Sequence, residues 1–235
     1  MRVAVFFTPP VKHRLTLAAA RWLRRDAFTG ASFAAEADDS FDADALRAFT
    51  AEPRRYGFHA TMKAPFRLVE GAGLADAEAL LADFCQNTTP CSLPVLRIAT
   101  LGPFFALIPD AAAKEVGDLA ARVVQAFEPL RAPLDPAELA RRRGGGLTPA
   151  QAAKLASWGY PYVFDEFRFH MTLTGPVPLA QQAAMAALLH RRFDALPRRL
   201  VIDALTLFVE DEPGADFRVY GERRLDGDGL FPTSP

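Results

Sequence analysis

The chain is poor in the residues that form structural cross-links or metal centres. Its 235 residues include two cysteines, Cys85 and Cys91, and four histidines. Two cysteines cannot make a disulfide framework, and they lack the neighbouring ligands of a zinc site. We therefore expect a reducing, cytoplasmic compartment and a protein that carries neither a metal nor another cofactor.

Long apolar runs and an excess of one charge sign are also missing. The apolar stretch within residues 1–10 is too short for a signal peptide or a membrane span, and it fits a buried first strand. Lysine and arginine number 27 against 28 acidic residues, which gives a formal net charge of −1. A globally basic surface is therefore absent, and neither long nucleic acid nor a membrane is an expected partner.

The sequence does contain one short pattern that occurs twice. Residues 56–66 read Tyr-Gly-Phe-His-Ala-Thr-Met-Lys-Ala-Pro-Phe, and residues 167–177 read Phe-Arg-Phe-His-Met-Thr-Leu-Thr-Gly-Pro-Val. Both copies contain Phe-His-x-Thr, and in both a proline follows six residues after the histidine. The copies lie about half the chain apart. This arrangement predicts two similar halves, each contributing one histidine to a shared site.

The predicted secondary structure repeats around the two copies. The hydrophobic periodicity predicts strands over 2–8, 54–67, 93–109 (a pair), 166–175, 199–209 and 216–224, and helices over 12–25, 42–49, 72–86, 111–128, 148–158 and 179–193. Each motif strand is followed by a helix and a strand pair, and each is preceded by a strand with a Phe-Phe pair and a helix. The order of elements is therefore duplicated along with the motif.

This duplication predicts an α+β fold with a pseudo-twofold axis. We expect two antiparallel sheets facing a central cleft, with helices packed outside. We treat residues 1–235 as a single bilobal domain whose lobes mix elements of both halves. The motif repeats then span about 54–109 and 166–224.

The segment 129–146 interrupts the pattern with prolines, three arginines and three glycines. It is predicted to be a flexible loop, with a short helix over 136–142 as an alternative. The arginine run over 141–143 is compatible with a solvated loop or with a mobile lid over an anionic substrate, and the solvated loop is favoured.

The strand alternation divides each motif into an apolar and a polar face. Residues i and i+2 of a strand point the same way, so Thr61 lies beside His59 and Thr172 beside His170. The same alternation adds three more polar side chains, namely Lys63, Thr174 and Arg168. Such a wall of imidazoles, hydroxyls and cations suits an anion with several oxygens, and phosphate is the obvious candidate.

Two histidines that flank a phosphodiester indicate metal-independent hydrolysis. A neutral imidazole can take a proton from water, while a protonated one gives a proton to the departing alkoxide. His59 and His170 are the predicted catalytic residues, and the pattern leaves open which is the base. Thr61 and Thr172 would stabilise charge on the phosphate oxygens.

Several alternatives stay open at this stage. Lys63 also fits a solvated strand end, and Arg168 could pair with Asp165 or Glu166 instead of a substrate. The same cleft could serve a non-catalytic module that binds a nucleotide or an RNA end. Metal-dependent hydrolysis with the histidines as ligands is disfavoured, because no carboxylate follows in ligand spacing and the threonines would be idle.

The paired Phe-His-x-Thr segments resemble the 2H phosphoesterase superfamily, which includes cyclic phosphodiesterases and 2′-5′ RNA ligase-like proteins. The amino-acid sequences of both motifs most resemble a branch found with bacterial phosphonate-utilisation genes. The resemblance covers most of the chain and implies a bilobal fold and a metal-free site. It also implies catalytic roles for His59 and His170, phosphate binding by Thr61 and Thr172, and a small cyclic ribose phosphate or nucleoside 2′,3′-cyclic phosphate as substrate.

Overall fold

The computed structural model describes residues 1–34, 38, 40–144 and 146–226. Its helices are α1 (Arg14–Leu23), α2 (Ala43–Tyr56), α3 (Leu74–Gln86), α4 (Lys114–Ala126), α5 (Pro136–Arg143), α6 (Pro149–Trp158) and α7 (Leu179–Phe193). Its strands are β1 (Arg2–Phe7), β2 (Ala60–Phe66), β3 (Cys91–Ser92), β4 (Leu96–Leu101), β5 (Phe104–Pro109), β6 (Met171–Thr172), β7 (Val201–Ile202), β8 (Ala204–Glu210) and β9 (Arg218–Arg224).

The strands form antiparallel sheets that each draw on both halves of the chain. One sheet has the order β2-β1-β8-β9 and another has the order β4-β5-β6. The end of the first half, β4, pairs with β5 from the second half, and β8 from the second half pairs with β1. The short strands β3 and β7 pair with each other. The predicted α+β class with a duplicated, antiparallel arrangement is confirmed.

Each motif strand occupies the same place in its sheet. Thr61 of β2 lies opposite Phe6 of β1, and Thr172 of β6 lies opposite Ala106 of β5. Phe6 and Ala106 are therefore equivalent positions, whereas matching the two Phe-Phe pairs, which begin at Phe6 and Phe104, would differ from this register by two residues. A shift of two preserves the face of the sheet on which each side chain lies.

The two faces of the larger sheet pack into different clusters. Val5 and Phe7 of β1 enter the main core, whereas Phe6 belongs to a smaller cluster with Phe208 and Phe217. This split follows from the two-residue alternation of a strand. The face that carries Phe6 is also the face on which the first histidine lies.

A buried cluster of charged side chains links two neighbouring strands of this sheet to α2. The Glu210 carboxylate on β8 is fully buried and is held by the guanidinium groups of Arg2 and Arg55. Burial opposes its ionisation, but hydrogen bonds from Arg2 and from the Gly214 amide keep the pKa of Glu210 below its usual value. The cluster joins β1, β8 and α2, because one residue of the cluster lies on each.

The second motif strand is shorter than the pattern predicts. Only Met171–Thr172 forms a paired strand, and residues 164–166 form a 3-10 turn. Phe164, two residues before the predicted strand, has a left-handed φ of 57°, so the chain turns there before it reaches β6. The predicted strand over 166–175 is therefore wrong outside its centre.

The basic segment contains the short helix that the sequence allowed over 136–142. The Asp135 side chain accepts a hydrogen bond from the Glu138 amide, and Pro136 occupies the first helical position, so the cap and the proline start α5. Residues 141–143 therefore lie on the last turn of a helix, as in the helical alternative. Residue 145 lies outside the described residues, and the lid interpretation stays a prediction.

Candidate active site

The two motif histidines are oriented by the same local hydrogen bond. His59 Nδ1 lies 2.8 Å from the Gly57 carbonyl oxygen, and His170 Nδ1 lies 2.8 Å from the Arg168 carbonyl oxygen. A carbonyl can only accept, so Nδ1 carries the hydrogen in both rings. In a neutral imidazole the other nitrogen, Nε2, is then free to accept a proton. Both histidines precede their strand by one residue, which leaves the rings at the strand ends.

The two motifs meet over one cleft. His59, Thr61 and Thr172 line a cavity of about 290 Å³. His170 and Thr61 line an adjoining cavity of about 500 Å³, and both cavities share Thr61, Phe104 and Tyr160 as walls. The structure thus brings together four predicted residues that the sequence places half a chain apart.

His59 lies in apolar surroundings that keep its ring neutral. The ring stacks on Phe6 with a centroid separation of 3.8 Å and an interplanar angle of 23°. Burial lowers the pKa of His59 to about 4, the hydrogen bond to Gly57 opposes this shift, and a positive charge on His170 adds to it. The Thr61 hydroxyl lies 3.3 Å from His59 Nε2. At neutral pH the His59 ring is therefore uncharged, and its Nε2 can accept a proton.

The turn before His59 requires glycine. Gly57 ends α2 with a φ of 76°, and a Cβ built there would lie 2.6 Å from the Ala27 Cβ. Both the left-handed backbone and the close approach favour a residue without a side chain. The same residue supplies the carbonyl that orients His59.

Lys63 does not face the cleft, and the prediction of a phosphate contact is wrong. Its side chain is 3% exposed, and Nζ donates to the Val124 carbonyl at 2.9 Å and to Glu128 Oε2 at 2.8 Å. The register of β2 against β1 shifts between Thr61 and Lys63, which marks a β-bulge. An extra residue reverses the alternation, so Ala64 lines the cavities in place of Lys63.

The remaining two predicted residues have different environments. Thr174 borders the smaller cavity, but its side chain is fully buried and Oγ1 accepts from the Phe105 amide at 3.0 Å. Its hydroxyl is therefore engaged in joining the segment after β6 to β5, and it is not free to contact a ligand in the way that the sequence predicted.

Arg168 lines the larger cavity with an exposed side chain. The acidic partners considered for it are engaged elsewhere, because Asp165 pairs with Lys154 and Glu166 accepts from Gln151. Among the described residues the Arg168 guanidinium forms no ion pair, which leaves it available to an anion in the cleft.

The aromatic residues of the cleft are not indicated by the sequence motifs. Tyr160 and Phe104 border both cavities, and Tyr162 borders the larger one. No periodicity marks Tyr160, because it follows the end of α6 at Gly159. The density of aromatic residues between Trp158 and Phe164 was the available signal.

Metal-binding clusters and membrane-spanning helices are absent from the described part of the chain. Within residues 1–34, 38, 40–144 and 146–226, no three His, Cys, Asp or Glu side chains are grouped so that they could hold a metal ion. Over the same residues, no helix combines the length and the apolar character that a membrane crossing needs.

Comparison with known proteins places the chain in a family. Residues 61–218 match the model of a family described as protein of unknown function, DUF1045. The chain belongs to this family, since the match covers more than half of it. This membership and the PhnN-named relatives below fit the phosphonate-associated branch that the motifs resemble.

The curated relatives are longer proteins. A ribose 1,5-bisphosphate phosphokinase PhnN of Janthinobacterium sp. (strain Marseille) is 37% identical over 239 residues, which cover 100% of this chain and 53% of the relative. A protein of the same name from Laribacter hongkongensis (strain HLHK9) is 37% identical over 220 residues, covering 93% of this chain and 50% of the relative. The chain thus spans about half the length of these relatives.

Solved structures show weaker similarity. The protein TT0787 of Thermus thermophilus aligns with a TM-score of 0.46 and 14% identity over 97% of this chain and 100% of that chain. E. coli LigT complexed with 3′-AMP aligns with a TM-score of 0.42 and 12% identity over 95% of this chain and 97% of that chain.

Proposed function

We propose that this protein is a metal-independent phosphodiesterase that hydrolyses a small cyclic phosphate ester. The observation that carries the proposal is the pair of histidines with the same Nδ1–carbonyl hydrogen bond, lining adjoining cavities that share Thr61. The duplicated His-x-Thr arrangement supports acid–base chemistry on one phosphate. The compartment is expected to be the cytoplasm, and the partner a small phosphorylated molecule.

His59 is the general base in this mechanism, because its pKa of about 4 keeps Nε2 unprotonated at neutral pH. Water attacks phosphorus and gives a proton to His59 Nε2. The bond from phosphorus to one ester oxygen breaks, and that oxygen takes a proton from Nε2 of protonated His170. Thr61 and Thr172 donate hydrogen bonds to the non-bridging oxygens, where charge develops. The product is a phosphate monoester with a free hydroxyl.

The relatives support a pentose phosphate as substrate. Their name refers to ribose 1,5-bisphosphate, and this chain corresponds to about half of their length. A ribose cyclic phosphate from phosphonate breakdown and a nucleoside 2′,3′-cyclic phosphate both contain the required cyclic diester. Arg168 would bind a second phosphate group of the substrate or an oxygen of the cyclic diester.

The test is hydrolysis in the presence of EDTA. Wild type and the variants His59→Ala and His170→Ala are assayed on 2′,3′-cyclic nucleotides and ribose 1,2-cyclic phosphate derivatives. Each variant should lose roughly a hundredfold or more in rate, since general acid–base catalysis contributes about 10²–10⁴. His190→Ala is the matched control, because His190 contacts Asp194 on the surface of α7. The proposal would be refuted if wild type hydrolysed nothing on the panel. It would also be refuted if wild type were active and the two histidine variants were equally active.

A second candidate follows from the name of the relatives, which describes a kinase. The sequence contains no Gly-Lys dipeptide and therefore no G-x-x-x-x-G-K-[ST] phosphate-binding motif. Release of ADP from ATP with ribose 1,5-bisphosphate would favour the kinase.

A module that only binds would instead show saturable binding of a cyclic nucleotide without turnover, and alanine at either histidine would weaken that binding.

A further inference from the structure

Tyr160 stands at the junction of the two histidine cavities. It lines the cavity of His59 and the cavity of His170, a position that it shares with Thr61, Ala64 and Phe104. Within the described part of the chain its hydroxyl has no hydrogen-bond partner. The hydroxyl is also not one of the fully buried polar atoms that lack a partner. A residue with an unpaired donor thus lies in the wall that the two histidine cavities share.

The hydroxyl is suited to donate to an anion. Burial raises the pKa of Tyr160 to about 12, with smaller contributions from Tyr162 and Tyr56, so the proton stays on the oxygen at neutral pH. A protonated phenol can hydrogen-bond a phosphate oxygen at little cost in reorganisation when its ring is already fixed.

The backbone before Tyr160 is fixed by two arginines. Arg131 Nη2 donates to the Ser157 carbonyl at 3.1 Å, and a Cβ at Gly159 would lie 3.0 Å from Arg131 Cδ. Arg142 Nη1 donates to the Gly159 carbonyl at 3.1 Å. The left-handed Gly159, with a φ of 72°, therefore packs directly against the Arg131 side chain.

Arg131 is in turn joined to the first motif strand. Arg131 Nη2 lies 2.6 Å from Glu128 Oε1, and Lys63 Nζ lies 2.8 Å from Glu128 Oε2. Lys63 and Arg131 are nearly buried, with side chains 3% and 10% exposed, so screening of the network by solvent is limited. The network connects the strand of Thr61 to the turn that carries Tyr160.

We propose that the Tyr160 hydroxyl donates a hydrogen bond to a non-bridging oxygen of the substrate phosphate, and that the Lys63–Glu128–Arg131 network positions it. This inference rests on the proposed function for the identity of the substrate. It gives Lys63 a positioning role through Glu128 and Arg131, in place of the direct phosphate contact that the sequence predicted.

The first test compares Tyr160→Phe with wild type and with Tyr220→Phe. Tyr220 is the matched control, because it is a tyrosine on β9 that is 39% exposed and lines neither histidine cavity. On the cyclic phosphate that wild type hydrolyses, Tyr160→Phe should lose roughly tenfold to a hundredfold in kcat/KM, as expected for a hydrogen bond to a charged group. Tyr220→Phe should stay within about twofold.

Binding of inorganic phosphate, measured by calorimetry, separates this inference from the proposed function. Tyr160→Phe should weaken phosphate binding several-fold even if wild type hydrolyses nothing, in which case the proposed function fails and the Tyr160 contact stands. Unchanged phosphate affinity in Tyr160→Phe, with or without turnover, overturns the contact.

The positioning role is tested by a double-mutant cycle with Glu128→Gln. The substitution should lower kcat/KM in the wild-type background and have little further effect in the Tyr160→Phe background, because both remove the same contact. Should Glu128→Gln not fold, Lys63→Met combined with Glu128→Gln removes the network without leaving a buried unpaired ammonium. An equal loss in both backgrounds, or no loss in either, overturns the positioning role.

Discussion

The two histidines share a tautomer but differ in environment. Each donates Nδ1–H to the carbonyl two residues earlier, so both point Nε2 away from their own backbone. His59 is in addition stacked on Phe6, and burial lowers its pKa to about 4. In the mechanism that we propose, this asymmetry makes His59 the base of a pair that the sequence leaves equivalent.

The pH dependence of activity follows from this assignment. His59 must be neutral to act as a base, so the acid limb of kcat/KM should fall near pH 4, well below that of a free imidazole. Measurement of kcat/KM from about pH 3.5 to 9 checks this limb. An acid limb between about pH 6 and 7 would contradict the assignment of His59 as the base.

The same lowered pKa has a consequence for stability. Below the free-histidine pKa of about 6.5, the unfolded chain binds a proton that native His59 excludes until about pH 4. The free energy of unfolding should therefore decrease as the pH falls through this window, and the decrease should be smaller in His59→Asn. Urea unfolding of both proteins at about pH 7 and pH 4.5 measures the difference. Parallel decreases would show that His59 is not the group responsible.

At the scale of elements, the junction between α2 and β2 determines where His59 lies. We predict that Gly57→Ala destabilises the protein by about 2–4 kcal/mol, because it adds a steric conflict with Ala27 to an unfavourable left-handed φ. Gly71→Ala is the matched control: its φ is 85°, but a Cβ there meets nothing within 4 Å. Chemical denaturation of both variants separates the backbone cost from the clash. Equal losses would mean that the contact with Ala27 relaxes freely.

The β-bulge in β2 is the other decisive local feature. The alternation of Phe58, Ala60 and Met62 against His59 and Thr61 holds up to the bulge, as the burial pattern shows. Beyond it, one inserted residue turns Lys63 toward Glu128 instead of the cleft. Strand periodicity predicts a face only while the ladder is regular, so local pattern alone could not place Lys63 correctly.

At the scale of the whole molecule, the exchange of strands makes the halves interdependent. We predict that residues 1–102 and 103–235 do not fold separately, because β1 would lose β8 and β4 would lose β5. Mixed together, the fragments should recover the far-UV circular dichroism and cooperative unfolding of the intact chain. A cooperative unfolding transition in either fragment alone would contradict this prediction.

The sequence by itself determined the duplicated order of strands and helices, the antiparallel α+β class and the two His-x-Thr faces. These depend on periodicity and on residue type, which are local properties of the chain. Only the tertiary structure decided that the halves exchange β4 and β8, that Lys63 binds Glu128, that His59 is the ring stacked on Phe6, and that Tyr160 joins the two cavities. Those outcomes depend on contacts between distant segments and on the burial that these contacts create, and neither is encoded in any short stretch of sequence.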